Sequence, residues 1–170
     1  MVKKAVFSLV LCLAIVGCVG SQAHLSGLKG QAVPPVRFTD FSGTYRSLRE
    51  FGEKPVVVLF WAEWCMFSKP VIAELNELAS RVPSGQAIFL AVSIDPASSF
   101  DKLRYRIDNQ GLHSLHHAFS GNELHDEAYQ ILRGQELPHV YVIDSNGVVI
   151  EEGHDSDVAV AGLRRAQVDF

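Results

Sequence analysis

One cysteine stands where an apolar run ends. Val56-Val57-Val58-Leu59-Phe60-Trp61 leads through Ala62-Glu63-Trp64 to Cys65, and Met66-Phe67-Ser68-Lys69-Pro70 follows. The apolar run reads as a buried strand and the residues after Pro70 as a helix, so Cys65 falls at a strand-to-helix turn. Unpaired backbone N–H groups at a helix start favour a thiolate, the nucleophilic form of cysteine. Lys69 adds positive potential there and Glu63 opposes it, so a lowered but not extreme thiol pKa is expected. Such a thiol can attack a disulfide. Ser68, one helical turn on, can donate to the thiolate or cap a helix that starts late. Its hydroxyl cannot act as a second thiol, so the site can form a mixed disulfide but has no internal means of releasing it. Pro70 removes an early intrahelical bond or moves the helix start to near Ser68.

The chain of 170 residues has three cysteines, Cys12, Cys18 and Cys65. The first two lie in an N-terminal segment with a basic pair, Lys3-Lys4, an apolar stretch from Ala5 to Val16, and Gly17-Cys18. About 12 apolar residues are too few to span a hydrocarbon core of roughly 30 Å, so this reads as a signal peptide. Ile15-Val16-Gly17-Cys18 resembles a bacterial lipobox. That resemblance implies a signal peptide over residues 1–17 and lipidation of Cys18. Val19 in the next position favours the outer membrane by the lipoprotein sorting pattern. Cys65 is then the one free thiol of the mature chain, in a compartment that tolerates disulfides. No intramolecular disulfide and no four-cysteine zinc site can be drawn.

The formal net charge is −4, and no basic stripe appears, which argues against nucleic acid as a partner. About 150 residues remain after the signal, enough for one domain with a real core. Residues 18–33 are small and polar and read as a tether, with the domain over 34–170.

Several elements must position the thiol. Val36 to Phe38 and Thr44 to Ser47 predict an edge hairpin, followed by a helical turn near Leu48 to Phe51. Val71, Ile72, Leu75 and Leu78 predict a helix ending near Pro83. Ala87 to Ile94 reads as a central parallel strand. Ser98 to Asn109 and Glu123 to Leu132 read as helices around a short strand, His117 to Phe119. His139 to Ile143 and Val148 to Glu151 predict a hairpin across Asp144-Ser145-Asn146-Gly147, with Asp157 to Ala166 as the closing helix. This is an α/β order, a central mixed sheet flanked by helices.

The order and the motif together resemble the thioredoxin fold. Trp64-Cys65-Met66-Phe67-Ser68-Lys69 is similar to W-C-x-x-C-K with serine in place of the second cysteine, and Leu137-Pro138 precedes the third core strand. The N-terminal hairpin and one extra helix–strand insertion resemble extracytoplasmic proteins of the thiol–disulfide interchange and cytochrome-c-maturation type, within the alkyl hydroperoxide reductase and thiol-specific antioxidant superfold. The resemblance implies Cys65 and Ser68 as catalytic positions, Trp64, Leu137 and Pro138 as substrate-binding positions, and Pro138 as a cis-proline. It implies no cofactor or metal. Partners would be protein or small thiols and disulfides of the cell envelope, reached from a periplasm-facing lipid anchor. Two functions follow: a thiol oxidoreductase using one cysteine, or a redox-inactive binding or chaperone module.

Other chemistries fit less well. Phe67-Ser68 echoes the C-G-F-S of monothiol glutaredoxins, but Met66 replaces the glycine. Ala62 occupies the position where peroxiredoxins need threonine. His113, His116 and His117 could suggest copper, as in Sco-type chaperones, yet the second cysteine of those sites is missing. His139 reads as a solvent-facing strand residue, and Arg104, Arg106, Arg164 and Arg165 as solvated positions.

Overall fold

The computed structural model describes residues 27–170. The signal peptide, Cys12, Cys18 and most of the expected tether lie outside the described residues. Among the described residues, no helix is long and apolar enough to cross a membrane.

The chain order is β1 (Arg37–Thr39), β2 (Tyr45–Ser47), β3 (Val56–Trp61), α1 (Ser68–Arg81), β4 (Ile88–Ser93), α2 (Phe100–Asn109), β5 (His116–Phe119), α3 (Glu127–Ile131), β6 (His139–Ile143), β7 (Val149–Gly153) and α4 (Asp157–Arg165). β3 is the middle strand of a five-stranded sheet, β5-β4-β3-β6-β7. β3, β4 and β5 run parallel, whereas β6 is antiparallel to β3 and β7 to β6. β1 and β2 form the N-terminal hairpin. Asp40, at its tip, bridges Ala118 on the β5 edge.

All six residues of β3 are buried because both faces of the sheet are covered. Its alternation sends Val57, Leu59 and Trp61 against α1, α2 and α4. Val56, Val58 and Phe60 meet the hairpin and α3. α1 buries Val71, Ile72, Leu75 and Leu78 along one stripe. α4 reaches β6 through Gly162, where an added Cβ would lie 2.5 Å from that of Val142.

Three expectations change. Residues 27–33, assigned to the tether by composition, lie along β7. Leu28 is 5% exposed, Gly30 N–H donates to the Val149 carbonyl at 2.7 Å, and Glu152 accepts from the Leu28 N–H at 2.9 Å. The backbone amides and one leucine find partners there that composition does not reveal. The helix expected over Glu123 to Leu132 is split into a 3₁₀ turn, Glu123–His125, and α3. Asp126 is extended between them and caps α3 by accepting from Tyr129 N–H at 3.1 Å; its side chain competes with the continuous helix. His139 is buried on the face of the sheet shared with Tyr141, not solvent-facing.

Candidate functional site

The register of β3 against β6 builds the site. Phe60 pairs with His139, so the residues after β3 and those before β6 emerge side by side from the same end of the sheet. The Leu137-Pro138 peptide is cis. The Cys65 S–H donates to the Leu137 carbonyl at 3.5 Å.

Local backbone bonds shape the turn that carries the thiol. Cys65 N–H donates to the Ala62 carbonyl at 3.1 Å, and Ser68 N–H donates to that of Cys65 at 3.2 Å. α1 starts at Ser68, after Phe67, so Pro70 falls in the first turn, where its missing N–H costs no helical bond. Cys65 therefore precedes the helix by three residues. The turn points Trp64 outward, 64% exposed, with Met66 and Phe67 also exposed, and points Cys65 inward at 8%. The thiol is thus less open than a strand-end position suggests, because the loop carrying Leu137 ahead of β6 packs on it. Ser68 is fully buried and its hydroxyl has no hydrogen-bond partner.

The charges near the thiol are arranged differently from the sequence expectation. Glu63 is 3% exposed. Arg106 grips it with two hydrogen bonds, one of them from an Nη at 2.6 Å. Lys102 Nζ lies 3.3 Å and Lys69 Nζ 4.0 Å from the same carboxylate. Burial opposes ionisation of Glu63, but Arg106, Lys102 and Lys69 outweigh it and hold its pKa below the ordinary value. Arg106 is therefore a partner of the turn and not a solvated arginine. Asp95 closes the other side, accepting from the Glu63 N–H at 2.8 Å and the Ser93 hydroxyl at 2.7 Å.

A model of the AhpC/TSA family matches residues 29–152. The chain belongs to the AhpC/TSA family. It is similar in structure to a thiol-disulfide oxidoreductase from Bacteroides fragilis, at 18% identity and a TM-score of 0.69, covering 79% of this chain and 98% of that one. A thiol:disulfide interchange protein from a Bacteroides species gives 18% identity and a TM-score of 0.67, over 84% and 93%. The exposed lipoprotein thioredoxin of Streptococcus pneumoniae gives 18% and 0.59, over 78% and 99%. No curated protein sequence matches the chain.

Within this AhpC/TSA domain, the structure brings Cys65, Ser68, Trp64, Leu137 and Pro138 to one end of the sheet, with Pro138 buried and Leu137 half-buried. It does not bring the three histidines together as one ligand set. His116 and His117 are consecutive on β5, so their rings leave opposite faces. His116 packs against Phe51, while His117 donates from Nε2 to the Leu112 carbonyl at 2.7 Å.

Two features had weak sequence signals. Arg106 lies 43 positions from Glu63, and only a charged residue inside an otherwise apolar motif hinted at a partner. Beyond Pro138, His154 donates from Nδ1 to the Pro138 carbonyl at 2.8 Å. Its ring centroid lies 4.7 Å from that of His139, whose Nδ1 is 3.1 Å from the Tyr141 hydroxyl.

Proposed function

We propose that this protein is a thiol–disulfide oxidoreductase of the bacterial cell envelope that works through Cys65 alone. The observation that carries this reading is the Cys65 sulfur beside the Leu137 carbonyl, with Ser68 where an internal resolving thiol would stand. The Cys65 thiolate attacks one sulfur of a disulfide R–S–S–R. A Cys65–S–S–R disulfide forms, the S–S bond of the substrate breaks, and its electron pair leaves with R–S⁻. An external thiol then attacks the Cys65 adduct, regenerates the Cys65 thiolate and carries away R as a new disulfide. Trp64 offers apolar surface to the incoming partner, and Leu137 offers backbone for an extended segment to pair with beside Pro138.

The location follows from the N-terminus: a signal peptide over residues 1–17, a lipid on Cys18 and a periplasm-facing domain, with the outer membrane favoured by Val19. The pneumococcal protein of similar fold is an exposed lipoprotein, which supports the lipid anchor. Cys18→Ser protein should lose its acyl chains and leave the membrane fraction; unchanged processing and partitioning would remove the anchor.

The test of function is a trap. Purified protein with Cys65 as the sole thiol, incubated with envelope disulfide proteins, should yield adducts that dithiothreitol releases. Cys65→Ser protein should give none. A second reading, a redox-inactive binding module, draws on the burial of Cys65 and of the Ser68 hydroxyl. Cys65 that resists both alkylation and mixed-disulfide formation in the folded protein would favour it.

A further inference from the structure

Three cations meet one carboxylate beside the thiol, which leaves local positive charge without an internal match. Glu63 is two residues from Cys65, a chain reach of at most about 7 Å between Cα atoms. Arg106, Lys102 and Lys69 all address it. The other acid at this turn, Asp95, is turned inward at 1% exposure and occupied by the Glu63 N–H and the Ser93 hydroxyl. The side chains of Lys102 and Lys69 remain 65% and 42% exposed, so their charges reach solvent at the rim. Topology gives this charge a side. α2 follows β4, which flanks β3 on one edge. Leu137 and the exposed Glu136 precede β6, which flanks β3 on the other. The rim carries Lys102 towards α2 and Glu136 towards β6.

We propose that Cys65 is selective for disulfides carrying a carboxylate beside the S–S bond, received on the α2 side by Lys102 and Lys69. This rests on the reading of Cys65 as a mixed-disulfide thiol and names its substrate class. The electrostatic gain acts on encounter and on the attack itself, because a second negative group approaches a thiolate. Two exposed lysine charges at the rim are worth a preference of about 3- to 10-fold at low salt, fading as the Debye length shrinks. The chemistry fits both a small disulfide such as oxidised glutathione and an acidic polypeptide segment.

Mixed-disulfide formation on the full domain is followed by mass spectrometry with three alkyl disulfides: 3,3′-dithiodipropionate (anionic), bis(2-hydroxyethyl) disulfide (neutral) and cystamine (cationic). Each rate is divided by that of N-acetylcysteinamide, which cancels leaving-group differences. The expected order is anionic over neutral over cationic, collapsing at high salt. Lys102→Glu should lower the anionic-to-neutral ratio several-fold, while Arg81→Glu, at the far end of α1, should leave it unchanged. A wild-type ratio of one, or a ratio that Lys102→Glu does not move, overturns the selectivity while leaving the thiol chemistry standing. No reaction with any of the three disulfides removes both. Oxidised glutathione and a disulfide-linked acidic peptide, each against its amidated form, then separate the sources. Preference for either carboxylate form supports the proposal, and indifference in both overturns it.

Discussion

The Cys65 sulfur meets the Leu137 carbonyl at 3.5 Å although 72 positions separate the two residues. The antiparallel register of β3 and β6 makes the contact, since pairing Phe60 with His139 fixes where the flanking loops emerge. A one-residue slip of β6 would turn Tyr141 and His139 to the opposite face of the sheet. The fold that buries Phe60 and Tyr141 is thus the same one that places a backbone carbonyl over the thiol.

Ser68→Cys should create a dithiol site. The position is one turn beyond Cys65, it is fully buried, and its present hydroxyl satisfies no partner, so a sulfur displaces no hydrogen bond. The variant should form an internal disulfide under mild oxidants and reduce insulin with a dithiol donor faster than wild type. The bridge closes a very short loop, so its effect falls on redox poise more than on stability. Loss of free thiol titre without a mass shift from an adduct is the readout. If both thiols stay alkylatable after oxidation, the late start of α1 has set the two side chains apart, and the binding-module reading becomes the better one.

Arg106→Leu should be costly for its burial. It leaves Glu63 inside the turn with only Lys102 and Lys69 to balance it. Breaking a buried ion pair from one side costs about 3–5 kcal/mol. The two remaining lysines reduce that, so a loss of about 2–3 kcal/mol is expected in urea unfolding. Glu63→Gln combined with Arg106→Leu should recover much of the loss, because the uncompensated charge is gone. A double variant no more stable than Arg106→Leu alone would show that the helix α2 contact matters and the charge does not.

Much of this arrangement is legible before any coordinates. The apolar β3 run, the thiol after it, Leu137-Pro138 and the Asp144-to-Gly147 turn each occupy their expected element, because local pattern and turn chemistry agree with the fold there. The charges around the thiol are not legible in the same way. Arg106 belongs to an amphipathic helix whose polar residues all look solvated, and only the crossing of α2 over the turn selects it. The burial of His139 is not legible for a related reason. A histidine opening a strand is ordinarily exposed, but here Tyr141 stacks on it and the tilted ring of His154 packs against it. Residues 28–33 escaped because their anchor is Glu152, more than a hundred positions away.

Gly162→Ala should destabilise the domain through contact. The added methyl would meet Val142 at 2.5 Å, closer than packed carbon atoms allow. Overpacking of this kind costs about 1–3 kcal/mol, against a helix-propensity gain of about 1 kcal/mol. A net loss of up to about 2 kcal/mol in unfolding free energy is expected, and Val142→Ala in the same chain should relieve it. Were Gly162→Ala to stabilise the protein, α4 would have room to move off the sheet and Gly162 would not set its distance from β6.

The buried His139 gives the domain an acid-side weakness. Burial first, and then the charge of His154, push the pKa of His139 down to about 4, with Glu152 pulling the other way. An unfolded histidine titrates near 6.5. Between these values the unfolded chain binds a proton that the folded chain excludes, so stability falls as pH drops through the window and is flat above it. For His139 alone the span corresponds to about 3 kcal/mol at its full extent. Burial lowers His116 and His117 as well, so they add losses of the same sign. The contribution of His139 is therefore read as a difference. His139→Gln keeps a polar group for the Tyr141 hydroxyl and has nothing to titrate. Urea unfolding of both proteins at pH 7.5 and pH 4.5 should show wild type losing about 2–3 kcal/mol more than the variant over that interval. Equal losses would mean that His139 takes up its proton in the folded state without difficulty, and that the stack with His154 opens below pH 6.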